Sequence, residues 1–151
     1  MKKTIQISLL VLALGLVGGQ FVKPDRDIPT YDSMDDIMSI EVGSEEVSKA
    51  FKRACYDCHS YQTEYPWYSE VFPLSFWIQK HVDEGREELN FSEWASYSAK
   101  RKKHKLEECI EEVEKNHMPL KSYTWMHTRS NWTQEEEVLV MEWWKSLKSQ
   151  Y

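Results

Sequence analysis

Five residues, Cys55-Tyr56-Asp57-Cys58-His59, constrain this chain more than any other stretch of it. Cys-x-x-Cys-His is the spacing at which two thiols add to the vinyl groups of a c-type haem while the adjoining histidine reaches the iron as proximal ligand. A small chain that carries it is expected to build its core around the porphyrin. The pentapeptide alone leaves two other chemistries open, a redox dithiol and half of a tetrahedral zinc site. Only three cysteines occur, so no disulfide framework staples the fold. The third, Cys109, reads as a small buried apolar residue on a helix.

The N-terminus narrows the choice. Lys2 and Lys3 precede an uncharged run from Ile5 to Val22 whose centre, Ile7 to Val17, is rich in Leu, Val and Ile. The run just suffices to cross a bilayer, and it ends in Gly18-Gly19-Gln20 without an A-x-A cleavage box. Residues 1–22 therefore read as an uncleaved membrane anchor, with a cleaved signal peptide as the alternative. Lysines before the span and none inside it place the rest of the chain on the periplasmic side of the inner membrane. Export suits covalent haem attachment better than it suits a cytosolic thiol or zinc reading.

After the leader, residues 23–43 hold Pro24, Pro29 and scattered acids with no helical stripe, and read as a flexible tether. Residues 44–151 form one domain. Ser44 caps a helix with Val47, Ala50, Phe51 and Ala54 on one face, delivering Cys55. Ser60 to Pro73 cannot form a long helix, because Pro66 and Pro73 interrupt it, and its Tyr and Trp residues are expected to wall the porphyrin. Leu74, Ile78, Val82 and Leu89 predict a second helix, with Gly85 on its stripe open to close approach by another element. Leu106, Cys109, Ile110 and Val113 predict a third, ended by Asn116. Thr133 to Glu136 has the capping-box pattern and opens a last helix with Val140, Trp143, Trp144 and Leu147 inward. No strand pattern appears, so the fold class is all-α.

The iron's second ligand is sought among Met118, Met126, His81, His104, His117 and His127. Met118 is favoured, because Pro119 follows it just past a helix end and locks the backbone into an extended turn that can hold a side chain over the ring. His81 offers a bis-histidine alternative on the rim of the second helix. His104 lies in a basic run and reads as solvated, while His117 and His127 flank the Met-Pro segment within reach of haem propionates.

Five blocks in order, Cys55 to Ser60, Tyr65-Pro66-Trp67-Tyr68, Gly85-Arg86, Leu89 to Trp94, and Met118-Pro119-Leu120 with Tyr123, resemble the small haem-binding domain family of bacterial exported proteins, related to monohaem cytochromes c. The resemblance covers most of Ser44 to Trp144. It implies one covalent haem c held by Cys55 and Cys58, His59 as proximal ligand and Met118 in the distal position. It also implies a cytochrome c-like helical domain in which Phe51 meets Trp143 or Trp144 where the first and last helices cross. The stretch from Tyr61 to Trp94 is longer than in a minimal cytochrome c and is expected to roof part of the haem edge.

A formal net charge of −6 argues against nucleic acid as a partner. Lys100 to Lys105 opens the third helix and glutamates close it, against the helix dipole, with Lys103 and Glu107 expected to pair. The run reads either as a docking patch for an acidic partner or lipid headgroups, or as a solvated face. Two strong axial ligands suit an electron carrier that works with a redox partner protein. A haem-based redox or gas sensor is the alternative. An enzyme, for example a peroxidase, would need the distal position open beside an acid–base group, so none is assigned catalytic residues.

Overall fold

The computed structural model describes residues 2–151, and every regular element among them is helical. Helix α1 spans Lys2–Gly19, α2 Ile37–Ile40, α3 Glu45–His59, α4 Leu74–Glu88, α5 Ala99–Glu114, α6 Lys121–Met126 and α7 Gln134–Gln150. Short 3₁₀ turns lie at Ser33–Asp35, Trp67–Glu70, Phe91–Ser96 and Thr128–Ser130. The all-α class and its four principal domain helices agree with the sequence reading.

Helix α3 is the centre of the domain, packing on α4 along one side and on α7 along another, while α7 also packs on α5. Its start is set by Ser44, whose Oγ accepts from the Val47 N–H, and acids at Glu45 and Glu46 suit the positive end of the helix dipole. Phe51 is fully buried at the crossing with α7, its ring centroid 5.4 Å from Trp143 and 5.8 Å from Trp144. Each such edge-on pair adds about 0.5–1.5 kcal/mol to what area burial supplies. Helix α7 opens on the expected capping box, with Thr133 and Glu136 exchanging side-chain-to-backbone bonds.

Three expectations are corrected. The tether is fastened along much of its length. Ile37 is fully buried, Asp36 accepts from the Tyr56 hydroxyl at 2.6 Å, and Glu41 accepts from the Trp94 indole at 3.0 Å. Nearer the leader, Lys23 and Arg26 both pair with Glu70. Asp36 and Glu41 look like linker acids in sequence because the partners that bury them, Tyr56 and Trp94, lie far along the chain.

On α4 the buried face runs through Ser75, Gln79 and Val82, rotated from the expected stripe. Gln79 is accommodated because its amide accepts from Tyr65 Oη and donates to Asp83, both at 2.8 Å. Leu74 and Trp77 are consequently exposed. At α5, Glu107 pairs with Lys148 of α7 rather than Lys103, and Lys105 pairs with Glu108.

Candidate functional site

Cys55 and Cys58, three residues apart on α3, project from one side of the helix at its C-terminal end. The residues between them anchor the motif on both flanks. Tyr56 is buried, stacked on Phe91 and bonded to Asp36, and Asp57 accepts from Tyr123 Oη at 2.7 Å and from the Glu64 N–H at 2.9 Å. Past the motif, Arg86 donates to the Ser60 carbonyl and to Thr63 Oγ1, each at 2.8 Å. Each of these partners lies on another element, so the motif is fixed by tertiary contacts.

The His59 ring is oriented by α4. Its Nδ1 lies 2.9 Å from the Gly85 carbonyl and 3.0 Å from the Leu89 carbonyl. Carbonyl oxygens only accept, so Nδ1 carries the proton and the lone pair is on Nε2. Burial holds the imidazole pKa below its ordinary value of 6.5, favouring the neutral form that ligates metal. This approach of α4 needs Gly85, where a Cβ would sit 2.6 Å from the Cys58 carbonyl oxygen. The expected close approach is borne out, and its partner is the motif itself.

Two cavities open beside His59. One, of about 400 Å³, is walled by Ala54, Cys55, Leu89, Phe91, Cys109, Val113, Met118 and Trp144, among others, with Glu88, Lys105, Glu108, Glu111 and Glu112 on its lining. The other, of about 300 Å³, is lined by Cys58, His81, Gly85, Met118, Leu120 and Tyr123. Ala54, His59, Glu88, Met118 and Pro119 belong to both.

Met118 is placed there by the end of α5. Asn116 takes the left-handed conformation at φ 57°, the Asn116 N–H bonds to the Val113 carbonyl, and the His117 and Met118 N–H groups both bond to the Glu112 carbonyl. This is a Schellman-type stop, which turns the chain back over the last helical turn. The expected helix end at Asn116 is thus observed.

Of the six candidate second ligands, Met118 and His81 share a cavity with His59. Met126 is half exposed and lines a separate cavity of about 70 Å³. His104 is exposed beside Glu108, and His117 is exposed beside Glu112. His127 is bonded to Tyr68 Oη at 2.9 Å, away from both larger cavities. Neither His117 nor His127 lines either of the two larger cavities. Tyr65 and Tyr68 line the small cavity, and Trp67 is exposed. The aromatic side chains that line the larger cavity are Phe91, Trp132 and Trp144.

The thiols are held in the neutral, protonated form. Burial pushes Cys58 up to about 11 and Cys55 well above its ordinary value, and Cys109 on the wall up to about 12. Their position at the C-terminal, negative end of α3 also disfavours thiolate. Among the described residues, no cluster of three or more His, Cys, Asp or Glu side chains has the arrangement of a metal-ion site, so the half-zinc-site reading lacks its other half.

A family model described as a haem-binding domain matches residues 14–146. The chain belongs to the haem-binding domain family. No curated protein and no solved structure matches it. The residues fit a haem: a cavity with mostly apolar walls, a neutral imidazole with its Nε2 lone pair free of hydrogen bonds, and a thioether in the same cavity. The chain is a haem-binding protein.

Sequence reasoning missed two parts of this haem site. Backbone carbonyls at Gly85 and Leu89 leave no side-chain signature. Lys105 and Glu112 were legible in principle, since they fall three or four residues from Cys109 on the same face of α5.

Proposed function

We propose that the protein is a monohaem c-type cytochrome that carries electrons on the outer side of the cytoplasmic membrane. The observation that carries this reading is the shared cavity of His59 and Met118, with His59 Nδ1 engaged by two carbonyls and Nε2 left for iron. Cys55 and Cys58 would hold the group by adding S–H across its vinyl double bonds, sulfur to one carbon and proton to the other, so that no oxidant would be consumed. Bound haem c supplies a one-electron iron couple.

The chain's own residues tune that couple in opposite senses. The Met118 thioether raises the potential relative to a second histidine. Glu88, Glu108, Glu111 and Glu112, set against Lys105 alone among lysines and arginines on the larger cavity, favour the more positive, oxidised state. Two strong ligands leave no open position for substrate, which supports a carrier over an enzyme, and the partner is a redox protein on the same side of the membrane. Helix α1, long and apolar enough to span, supports an anchored protein with Lys2 and Lys3 in the cytoplasm.

One observation favours a second ligand set. His81 lines the same cavity as His59, and its buried Nδ1 has no hydrogen-bond partner. Covalency is tested first: protein matured in a host with c-type assembly machinery keeps its haem through acidic organic extraction, and Cys55→Ser with Cys58→Ser loses it. Haem extracted from the wild type overturns the c-type reading.

A further inference from the structure

The strap between α1 and the domain leaves an aromatic surface where the chain would leave the bilayer. Gln20 clamps the Phe72 backbone, accepting from its N–H at 3.1 Å and donating to its carbonyl at 3.3 Å. Gly19 sits against the Phe72 ring so closely that a Cβ there would come within 2.4 Å of it. Arg26 then reaches the Ser69 carbonyl at 2.6 Å and lies 4.1 Å over the Tyr65 ring, while Lys23 and Arg26 both hold Glu70. The exit of α1 is therefore fixed to the segment from Tyr65 to Phe72.

That segment and the start of α4 expose large apolar side chains that the core does not use: Trp67, Val71, Phe76 and Trp77, joined by Phe21 and Val22 of the strap. Trp67 is 79% exposed and Phe21 85%. An 18-residue helix is about 27 Å long, close to the hydrocarbon thickness of a bilayer. Its C-terminal end then sits at the headgroup boundary, the depth at which Trp is enriched and at which Lys and Arg favour anionic lipid.

We propose that the face formed by Trp67, Val71, Phe76 and Trp77 rests on the lipid surface of the membrane that α1 spans. This rests on the anchor reading of α1. The occupant is lipid because Phe72, which the end of the spanning helix grips, lies in the chain between Trp67 and Phe76 and packs its ring 6.1 Å from that of Phe76. The domain is thereby held in one orientation on the bilayer, rather than swinging on a tether.

The test uses full-length holoprotein at one copy per nanodisc of phosphatidylethanolamine and phosphatidylglycerol, with hydroxyl-radical footprinting read by mass spectrometry. Trp67 and Trp125 are matched probes, 79% and 80% exposed, and Trp125 lies on α6 outside the strap. Oxidation several-fold slower at Trp67 than at Trp125 is expected. Equal rates in protein that resists carbonate extraction overturn the surface while leaving the anchor standing, whereas release by carbonate overturns the anchor and the surface with it. The Trp67→Glu, Trp77→Glu double variant should remain carbonate-resistant and gain labelling across residues 71–76; unchanged protection there also overturns the proposal.

Discussion

At Gly85 one hydrogen atom decides whether two helices can meet. A methyl group there would press on the Cys58 carbonyl oxygen at 2.6 Å, backbone that cannot step aside, while the Gly85 carbonyl orients His59. Gly85→Ala is expected to cost about 1–3 kcal/mol by overpacking and to yield haem-poor protein, measured by thermal melting and by haem absorbance per chain. Met118→Ala is expected to abolish the sulfur-to-iron charge-transfer band of the oxidised protein, whereas His81→Ala leaves it. If the wild type lacks the band and His81→Ala alone turns the iron high-spin, the ligand pair is His59 with His81.

Helix ends do as much as helix faces to place this site. The left-handed Asn116 lets α5 stop and turn Met118 into the cavity. Asn116→Gly should be tolerated, while Asn116→Val, β-branched in that conformation, should cost about 1–2 kcal/mol and weaken the charge-transfer band. At the other end of the domain Glu136 accepts from Arg53 and caps α7, and these bonds, the Arg53 one first, hold its carboxyl below the ordinary value of 4.5. The unfolded chain then takes up a proton before the folded one. The stabilisation is fully present above about pH 4.5 and is lost as pH falls through the lower folded value. The melting-temperature gap between wild type and Glu136→Gln should accordingly be open at pH 7 and close in acid.

Across the whole molecule, the core is built around space that its own side chains do not fill. Leu89, Phe91, Val113 and Trp144 face both the apolar cluster and the larger cavity. A bound haem stabilises the folded state alone and supplies the contacts these walls lack. Haem-free protein, obtained as Cys55→Ser with Cys58→Ser, should melt at a lower temperature and with a broader transition by circular dichroism. Added haem should recover part of the loss, since His59 and Met118 remain.

Local patterns settled what local physics controls. The Ser44 cap, the Thr133–Glu136 capping box and the Phe51 stripe each concern residues within a turn or two of one another, and each appears as read. The position of Met118 just past the end of α5 was legible because Asn116 and Pro119 are its sequence neighbours. What tertiary structure alone decided joins residues far apart in the chain. Asp36 looked like part of a linker until Tyr56 and Gln62 bonded to it, and Gln79, outside the apolar stripe of its helix, is buried because Tyr65 meets its amide. His59 has no orienting partner nearby in sequence and finds two carbonyls on α4. Burial of a polar group is set by whether a partner arrives to satisfy it, and a partner 20 or 30 residues away is not written in the spacing.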